Sequence, residues 1–114
     1  MRQLVGRLLV CGVLFPGPAS AAQSAALIEQ GQKVYAAQKC TVCHAVAGKG
    51  NAKGALDTVG SKLSADELRQ WIVDAPGMTA KTKAARKPLM KSYPTLAKQD
   101  VDALVAYMQS LKKK

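Results

Sequence analysis

The chain has 114 residues, enough for one domain, and 48% of them are hydrophobic, which is ordinary for a globular protein. Its formal net charge is +10, from 17 Lys and Arg against 7 Asp and Glu. With only 1 Phe, 1 Trp and 3 Tyr, the composition excludes a large aromatic core. We therefore expect a small domain that gains stability from a staple, a metal or a cofactor.

The first residues have the order that is typical of an export signal. Arg2 and Arg7 precede the apolar run Leu8–Phe15, and small residues follow up to Ala21. This order predicts a signal peptide over residues 1–21 that is removed after Ala21, with cleavage after Ala22 as the close alternative, and therefore a protein of the periplasm. A retained membrane anchor is the alternative, but the apolar run is shorter than the ~20 residues that a span requires.

Removal of that signal changes the charge and the cysteine content of the remaining domain, residues 22–114. It takes away two arginines, so that 15 basic residues face 7 acidic ones and the net charge becomes +8. It also takes away Cys11, which leaves Cys40 and Cys43 as the cysteines of the domain. We expect this domain to be a monomer without stable insertion into a membrane.

The first predicted helix runs from about Ser24 to Gln38, with Ser24 as its N-cap. Apolar residues recur along it at helical spacing, at Leu27, Ile28, Val34 and Tyr35. Gly31 lies in its middle, where glycine costs ~1 kcal/mol relative to alanine. We therefore expect another helix to approach closely at Gly31.

The segment after this helix reads Cys40-Thr41-Val42-Cys43-His44. A Cys-x-x-Cys pair alone fits a redox disulfide, half of a zinc site or two structural thiols, but Cys-x-x-Cys-His is the attachment signature of c-type haem. On a helical turn both sulfurs project from one side and can reach the two vinyl groups of one porphyrin, while His44 lies under the iron. We predict one covalent haem c with His44 as an iron ligand; a redox disulfide and a zinc site are the alternatives.

Residues 45–63 are rich in glycine and predict an irregular loop. Ser64-Ala65-Asp66-Glu67 then forms a capping box, which predicts a helix to about Asp74 that stops before Pro76. Trp71 lies on the apolar side of this helix. It either fills the core or donates its indole N–H to a buried acceptor such as a haem propionate.

Residues 78–94 lack a continuous helical pattern, because Pro88 and Pro94 interrupt it, although residues 79–87 could form a short helix. The last helix is predicted from about Leu96 to Lys112. Its apolar positions have helical periodicity: Val101, Leu104, Val105, Met108 and Leu111. The predicted fold is therefore all-α, with three to five helices.

Three stretches of the chain resemble the class I, or mitochondrial-type, c-type cytochromes of bacteria. They read GQKVYAAQKCTVCH, ELRQWIVDAPGM and MKSYP followed by DVDALVAYMQSL, within residues 25–111. The resemblance implies a small α-helical fold wrapped around one haem. Its first and last helices cross where Gly31 and Tyr35 meet Tyr107.

The resemblance also implies the iron ligands. His44 is the proximal ligand, and a methionine ahead of the last helix is the other; Met90 fits this place, and Met78 is the rival. Where the family usually has Gly-Pro, this chain has Gly54-Ala55. The carbonyl of the family's proline accepts a hydrogen bond from the proximal histidine, so Ala55 is the expected acceptor here.

This ligation implies a one-electron carrier rather than an enzyme, because no open iron position remains for a small-molecule substrate. Methionine opposite histidine raises the reduction potential. We expect the protein to shuttle electrons between redox partners of a respiratory or oxidative chain. The rival classes are an open-site haem enzyme and an electron-entry subunit held in a larger oxidoreductase.

Basic residues crowd the sequence around Met90: Lys81, Lys83, Arg86, Lys87, Lys91 and Lys98. A ring of positive charge near a haem edge would steer acidic redox partners and raise the association rate. The alternative is a basic surface that only keeps the protein soluble. Nucleic acid is not expected as a partner, because the chain carries an export signal and lacks a platform for stacking bases.

Overall fold

The computed structural model describes Gly12 and residues 19–114. In that part of the chain, five α-helices, two short strands and two 3-10 helices follow one another: α1 (Ala19–Ala37), the 3-10 helix Cys40–Val42, β1 (Ala45–Val46), β2 (Lys49–Gly50), the 3-10 helix Ala52–Gly54, α2 (Val59–Lys62), α3 (Ala65–Val73), α4 (Ala75–Thr82) and α5 (Lys98–Ser110). The all-α prediction is confirmed. No helix within residues 19–114 has the length and apolarity needed to cross a membrane. Most of the predicted signal peptide lies outside the described residues.

Helix α1 begins at Ala19, five residues before the predicted start, and ends at Ala37. The prediction of Ser24 as N-cap is wrong, because Ser24 lies inside the helix. The preceding residues are mainly alanine, the best helix former, and nothing there stops a helix. At the other end, Lys39 has a left-handed φ of 57°, which turns the chain into the 3-10 helix.

Helices α1 and α5 cross and make the most extensive helix–helix contact in the described chain. A Cβ added to Gly31 would overlap the Ala103 carbonyl oxygen and lie 2.7 Å from the Tyr107 Cβ. Tyr35 and Tyr107 meet edge to face, with ring centroids 5.6 Å apart and an interplanar angle of 80°. The predicted close approach at Gly31 is confirmed, since only glycine leaves room for the facing backbone.

The predicted irregular loop at residues 45–63 is wrong in part. β1 and β2 pair as an antiparallel hairpin, with Ala45 opposite Gly50. Its turn has positive φ values of 51° at Ala47 and 78° at Gly48, and the Ala47 N–H donates to Asp57 Oδ1 at 2.7 Å. Sequence periodicity cannot detect two-residue strands, because one alternation is not a pattern.

The capping box that opens α3 is confirmed. Ser64 accepts from the Glu67 N–H at 3.2 Å, and Glu67 accepts from the Ser64 N–H at 3.1 Å. The short helix predicted over residues 79–87 has wrong bounds, because α4 begins at Ala75. Pro76 lies in its first turn, where a missing N–H costs little, and Asp74 caps it by accepting from the Gly77 N–H at 3.2 Å.

Residues 84–97 connect α4 to α5 without a helix. Two hydrogen bonds tie their second half to the α3–α4 junction: the Tyr93 N–H donates to the Ile72 carbonyl at 2.8 Å, and the Ala75 N–H donates to Ser92 Oγ at 2.9 Å. Helix α5 is two residues shorter at each end than predicted. Four of its five predicted apolar positions are buried, and they pack with α1 and α3 in one core.

Candidate haem-binding site

A cavity of about 860 Å³ opens between the 3-10 helix Cys40–Val42, helix α3 and the α4–α5 connection. It is lined by five of the predicted site residues: Cys40, Cys43, His44, Trp71 and Met90. Its floor is apolar and includes Leu68 and Ile72 of α3 and Leu104 and Met108 of α5. Residues that are up to 50 positions apart in the sequence, Cys40 and Met90, therefore line the same apolar cavity.

The two cysteines enter the cavity from a single helical turn. The His44 N–H donates to the Cys40 carbonyl at 2.9 Å, and the Cys43 N–H donates to the same carbonyl at 3.1 Å. Both thiols are free and half-buried, and burial raises the pKa of the Cys40 thiol. The turn therefore holds both sulfurs and the imidazole on one wall of the cavity.

His44 is oriented by a hydrogen bond between its Nδ1 and the Gly54 carbonyl, at 2.9 Å. A carbonyl can only accept, so Nδ1 carries the proton and Nε2 keeps its lone pair. Burial lowers the pKa of His44, and the nearby Arg86 charge acts in the same direction. The imidazole is thus neutral at physiological pH, which is the form that binds a metal.

The prediction that Ala55 supplies this acceptor is wrong, because the acceptor is the carbonyl of Gly54. Ala55 is extended, with φ −58° and ψ 132°, and forms a parallel bridge with Ala45. Gly54 ends a 3-10 helix whereas Ala55 is extended, so the carbonyls of these two residues point in different directions. The Ala55 carbonyl is therefore turned away when the Gly54 carbonyl faces the imidazole. The interaction survives without the family's proline, since the bridge fixes the segment.

The methionines of the described chain differ in their relation to the cavity. Met90 is half-buried and lines it. Met78 is 3% exposed within α4 and is absent from the cavity lining. Met108 lines the cavity from within α5, where it is part of the packed core. Met90 alone among them lies on a non-helical segment beside the cavity, which favours it as the second ligand.

Three aromatic side chains that carry a polar atom line the cavity: Tyr35, Trp71 and Tyr93. Trp71 is half-buried and lines the cavity, a position that suits either core packing or contact with a propionate. The Tyr35 hydroxyl is buried without a partner among residues 24–114, and burial is the main reason that its pKa rises to about 12. Sequence analysis assigned Tyr35 to the helix crossing only.

Sequence analysis also missed the position of several cations. Arg86 lines the cavity and donates from Nη2 to the Cys43 carbonyl at 2.6 Å, although 43 residues separate the two. Lys39 and Lys62 line the cavity as well. Lys98, by contrast, binds Asp102 of its own helix at 2.8 Å. The periodicity of the sequence predicts neither the basic residues that line the cavity nor the ion pair of Lys98.

The donor set fits haem c better than the alternatives. Within the described residues, no group of three or more His, Cys, Asp and Glu side chains could hold a metal ion, so the zinc site lacks ligands. The cavity instead offers two thiols three positions apart, a neutral imidazole with a free Nε2 and an apolar floor. The Tyr35 hydroxyl, which is buried without a hydrogen-bond partner among the described residues, also belongs to a residue that lines the cavity.

The comparisons with known proteins agree with this fit. The profile of the Cytochrome c family matches residues 28–112, and the chain belongs to that family. Its members transfer electrons on covalently bound haem c. The chain is also 34% identical over 95 residues to a cytochrome c oxidase subunit 2 of Alkalihalophilus pseudofirmus, with 75% of this chain and 26% of that protein covered. It thus spans about a quarter of that relative. No solved structure matches the chain significantly.

Proposed function

We propose that the chain is a one-electron carrier with one haem c, attached through Cys40 and Cys43 and bound at iron by His44 and Met90. The observation that carries this proposal is the shared cavity, which all four side chains line. Haem c would supply a one-electron iron couple. The protein's own residues then have three tasks: to hold the ligands, to keep water out and to present an edge to partners.

His44 performs the first task together with Gly54. The hydrogen bond from Nδ1 holds the proton on that nitrogen and directs Nε2 into the cavity. It also raises the basicity of the imidazole, which strengthens metal ligation. The 3-10 helix Ala52–Gly54 supports this carbonyl, because Asn51 caps it by accepting from the Lys53 N–H at 3.1 Å.

The surface beside the cavity suits an acidic redox partner. Val42 is 69% exposed and Leu89 is 46% exposed, and both line the cavity. Four exposed basic side chains line the cavity with them: Lys39, Lys62, Arg86 and Lys91. Lys81, Lys83 and Lys87 are exposed in the same part of the sequence as Arg86. An apolar centre with a positive rim permits close approach and steers a negatively charged protein. We infer a monomer that works in the periplasm after removal of residues 1–21.

Kinetics of electron transfer test this proposal. The purified protein should contain one covalent haem per chain by the pyridine haemochrome assay. Lys87→Glu with Lys91→Glu should then slow electron transfer to an acidic partner through the association rate, and wild-type transfer should slow as salt shortens the ~8 Å screening length.

Lys113→Glu with Lys114→Glu is the matched control for this test. It makes the same charge change at two exposed residues of the C-terminus that do not line the cavity, whereas Lys91 lines it and Lys87 follows Arg86, which also lines it. It should slow transfer much less. If the rate of electron transfer changes neither with salt nor with either charge reversal, the basic surface serves only solubility.

A second candidate is an electron-entry domain held permanently in a larger oxidoreductase. The similarity to part of a cytochrome c oxidase subunit 2 favours it. Isolation of the chain as a free monomer would exclude this candidate, and stable co-purification with an oxidase would support it. Carbon monoxide binding to the reduced protein would indicate the third possibility, an open-site haem enzyme.

A further inference from the structure

Arg86 connects the two walls of the cavity that carry the proposed iron ligands. Its backbone belongs to the α4–α5 connection, four residues before Met90. Its guanidinium reaches the opposite wall, where Nη2 donates to the carbonyl of Cys43, the residue directly before His44. One side chain therefore joins the Met90 segment to the His44 turn.

Gly54 makes room for this connection. A Cβ on Gly54 would lie 2.9 Å from the Arg86 Cζ and would overlap both Arg86 Nη1 and the Cys43 carbonyl oxygen. The same glycine supplies the carbonyl that orients His44. Arg86 thus packs against both residues that fix the position of the imidazole.

The Met90 segment has few other attachments on this side. Residues 85–91 make one hydrogen bond to the rest of the described chain, and Arg86 donates it. The next attachments come after Met90, at Ser92 and Tyr93, which bind the α3–α4 junction. Met90 is therefore held from one side by Ser92 and Tyr93 and from the other by Arg86.

We propose that Arg86 is a positioning residue that holds the Met90 segment against the His44 turn and so limits displacement of Met90 by external ligands. The inference rests on the proposed function, in which Met90 binds iron. A competing ligand can enter only when this segment moves away. Loss of the Arg86 hydrogen bond makes that movement easier, whereas the bonds at Ser92 and Tyr93 remain.

The test is the affinity of the oxidised protein for imidazole, measured by spectral titration. Imidazole is neutral, so the charge change at position 86 has little direct effect on its binding. Arg86→Ala should bind imidazole roughly fivefold more tightly than the wild type, the change expected from one lost hydrogen bond. The haem content per chain should stay the same. If Arg86→Ala does not accumulate with haem, Arg86→Gln replaces it with the same expectation.

Two controls separate this role from charge and from general stability. Lys49→Ala removes a positive charge from the exposed strand β2 and should leave the imidazole affinity unchanged. Gly31→Ala weakens the crossing of α1 and α5 at a residue that does not line the cavity, and it should lower the unfolding temperature without changing the affinity.

Wild-type spectra separate failure of this inference from failure of the proposed function. If the wild type lacks covalent haem or the long-wavelength sulfur-to-iron band, the proposed ligation itself is wrong. If both are present and the Arg86 variant binds imidazole as the wild type does, the positioning role of Arg86 is overturned. The same conclusion follows if either control tightens binding as much as the Arg86 variant.

Discussion

The helix crossing and the Met90 segment are stabilised in different ways. At the crossing, protein packs on protein: Ala103 is fully buried beside Gly31, and the rings of Tyr35 and Tyr107 are in contact. The segment 84–97 is mostly exposed, and its residues face a cavity of about 860 Å³. The crossing is thus stabilised by contacts between protein groups, whereas we expect the segment 84–97 to depend on the group that fills the cavity.

The largest effect is expected from removal of the two cysteines that would attach the haem. Cys40→Ala with Cys43→Ala should abolish covalent haem attachment, and the apoprotein should not fold, because the apolar floor of the cavity would face water. Loss of the haem band on a denaturing gel and loss of helical circular dichroism measure the two consequences. A compact helical apoprotein would show instead that the crossing alone is sufficient for folding.

Replacement of two methionines tests which of them binds the iron. Met90→Ala should abolish the sulfur-to-iron band, lower the reduction potential and open the iron to carbon monoxide or azide. Met78→Ala should leave all three unchanged, but it should cost about 2–5 kcal/mol of stability, because Met78 is 3% exposed in α4. Absorption spectra and urea unfolding measure both variants.

The reverse pattern would contradict the ligand assignment. If the band survives in Met90→Ala and disappears in Met78→Ala, Met78 is the ligand, although the haem assignment stands.

A methyl group at Gly31 tests the crossing itself. Gly31→Ala should lower the free energy of unfolding by about 2 kcal/mol, because the new Cβ overlaps the Ala103 carbonyl. The sulfur-to-iron band should persist, since the ligand side is not touched. Gln32→Ala, at the next and exposed position of α1, should change stability by less than about 0.5 kcal/mol. Equal stabilities of the two variants would mean that the helices can separate without cost.

The smallest effect concerns an ion-pair network outside both regions. Asp102 of α5 binds Lys98 at 2.8 Å and Arg69 of α3 at 2.7 Å. The interaction with Lys98 and then that with Arg69 lower the pKa of Asp102 in the folded protein. Its contribution to stability is therefore present at neutral pH. This contribution is lost as the pH falls below the unfolded value of ~3.9 and through the lowered folded value.

Asp102→Asn should accordingly be slightly less stable than the wild type at pH 7. The difference should shrink as the pH falls below ~3.9, because the wild-type carboxyl then takes up a proton. Urea midpoints at several pH values measure it. A constant difference across that range would assign the loss to packing rather than charge.

The sequence predicted the parts of the structure that are encoded locally. Each of these parts depends on one short stretch of sequence. They are the Cys-x-x-Cys-His motif, the capping box at Ser64 and helix α5 with its periodic apolar residues. Gly31 was interpretable because a helix-interior glycine conflicts with local propensity and therefore indicates a tertiary contact. The resemblance added its partner, Tyr107.

The remaining features depend on contacts between distant segments. Arg86 meets Cys43 across 43 positions, and no local pattern distinguishes it from the other basic residues nearby. The acceptor for His44 is Gly54 and not the predicted Ala55, because the bridge between Ala55 and Ala45 sets the direction of the carbonyls. The start of α4 was missed because Pro76 was interpreted as a stop, although it can also occupy the first turn of a helix.

The crossing of α1 and α5 also determines how the protein would respond to a protease. The exposed, basic stretch from Lys83 to Lys87 offers cleavage sites to an enzyme that cuts after Lys or Arg. Each of the two fragments would carry one helix of the crossing, so the pieces would stay together after the cut. A nicked sample would therefore give two bands on a denaturing gel while it still migrates as one particle under native conditions.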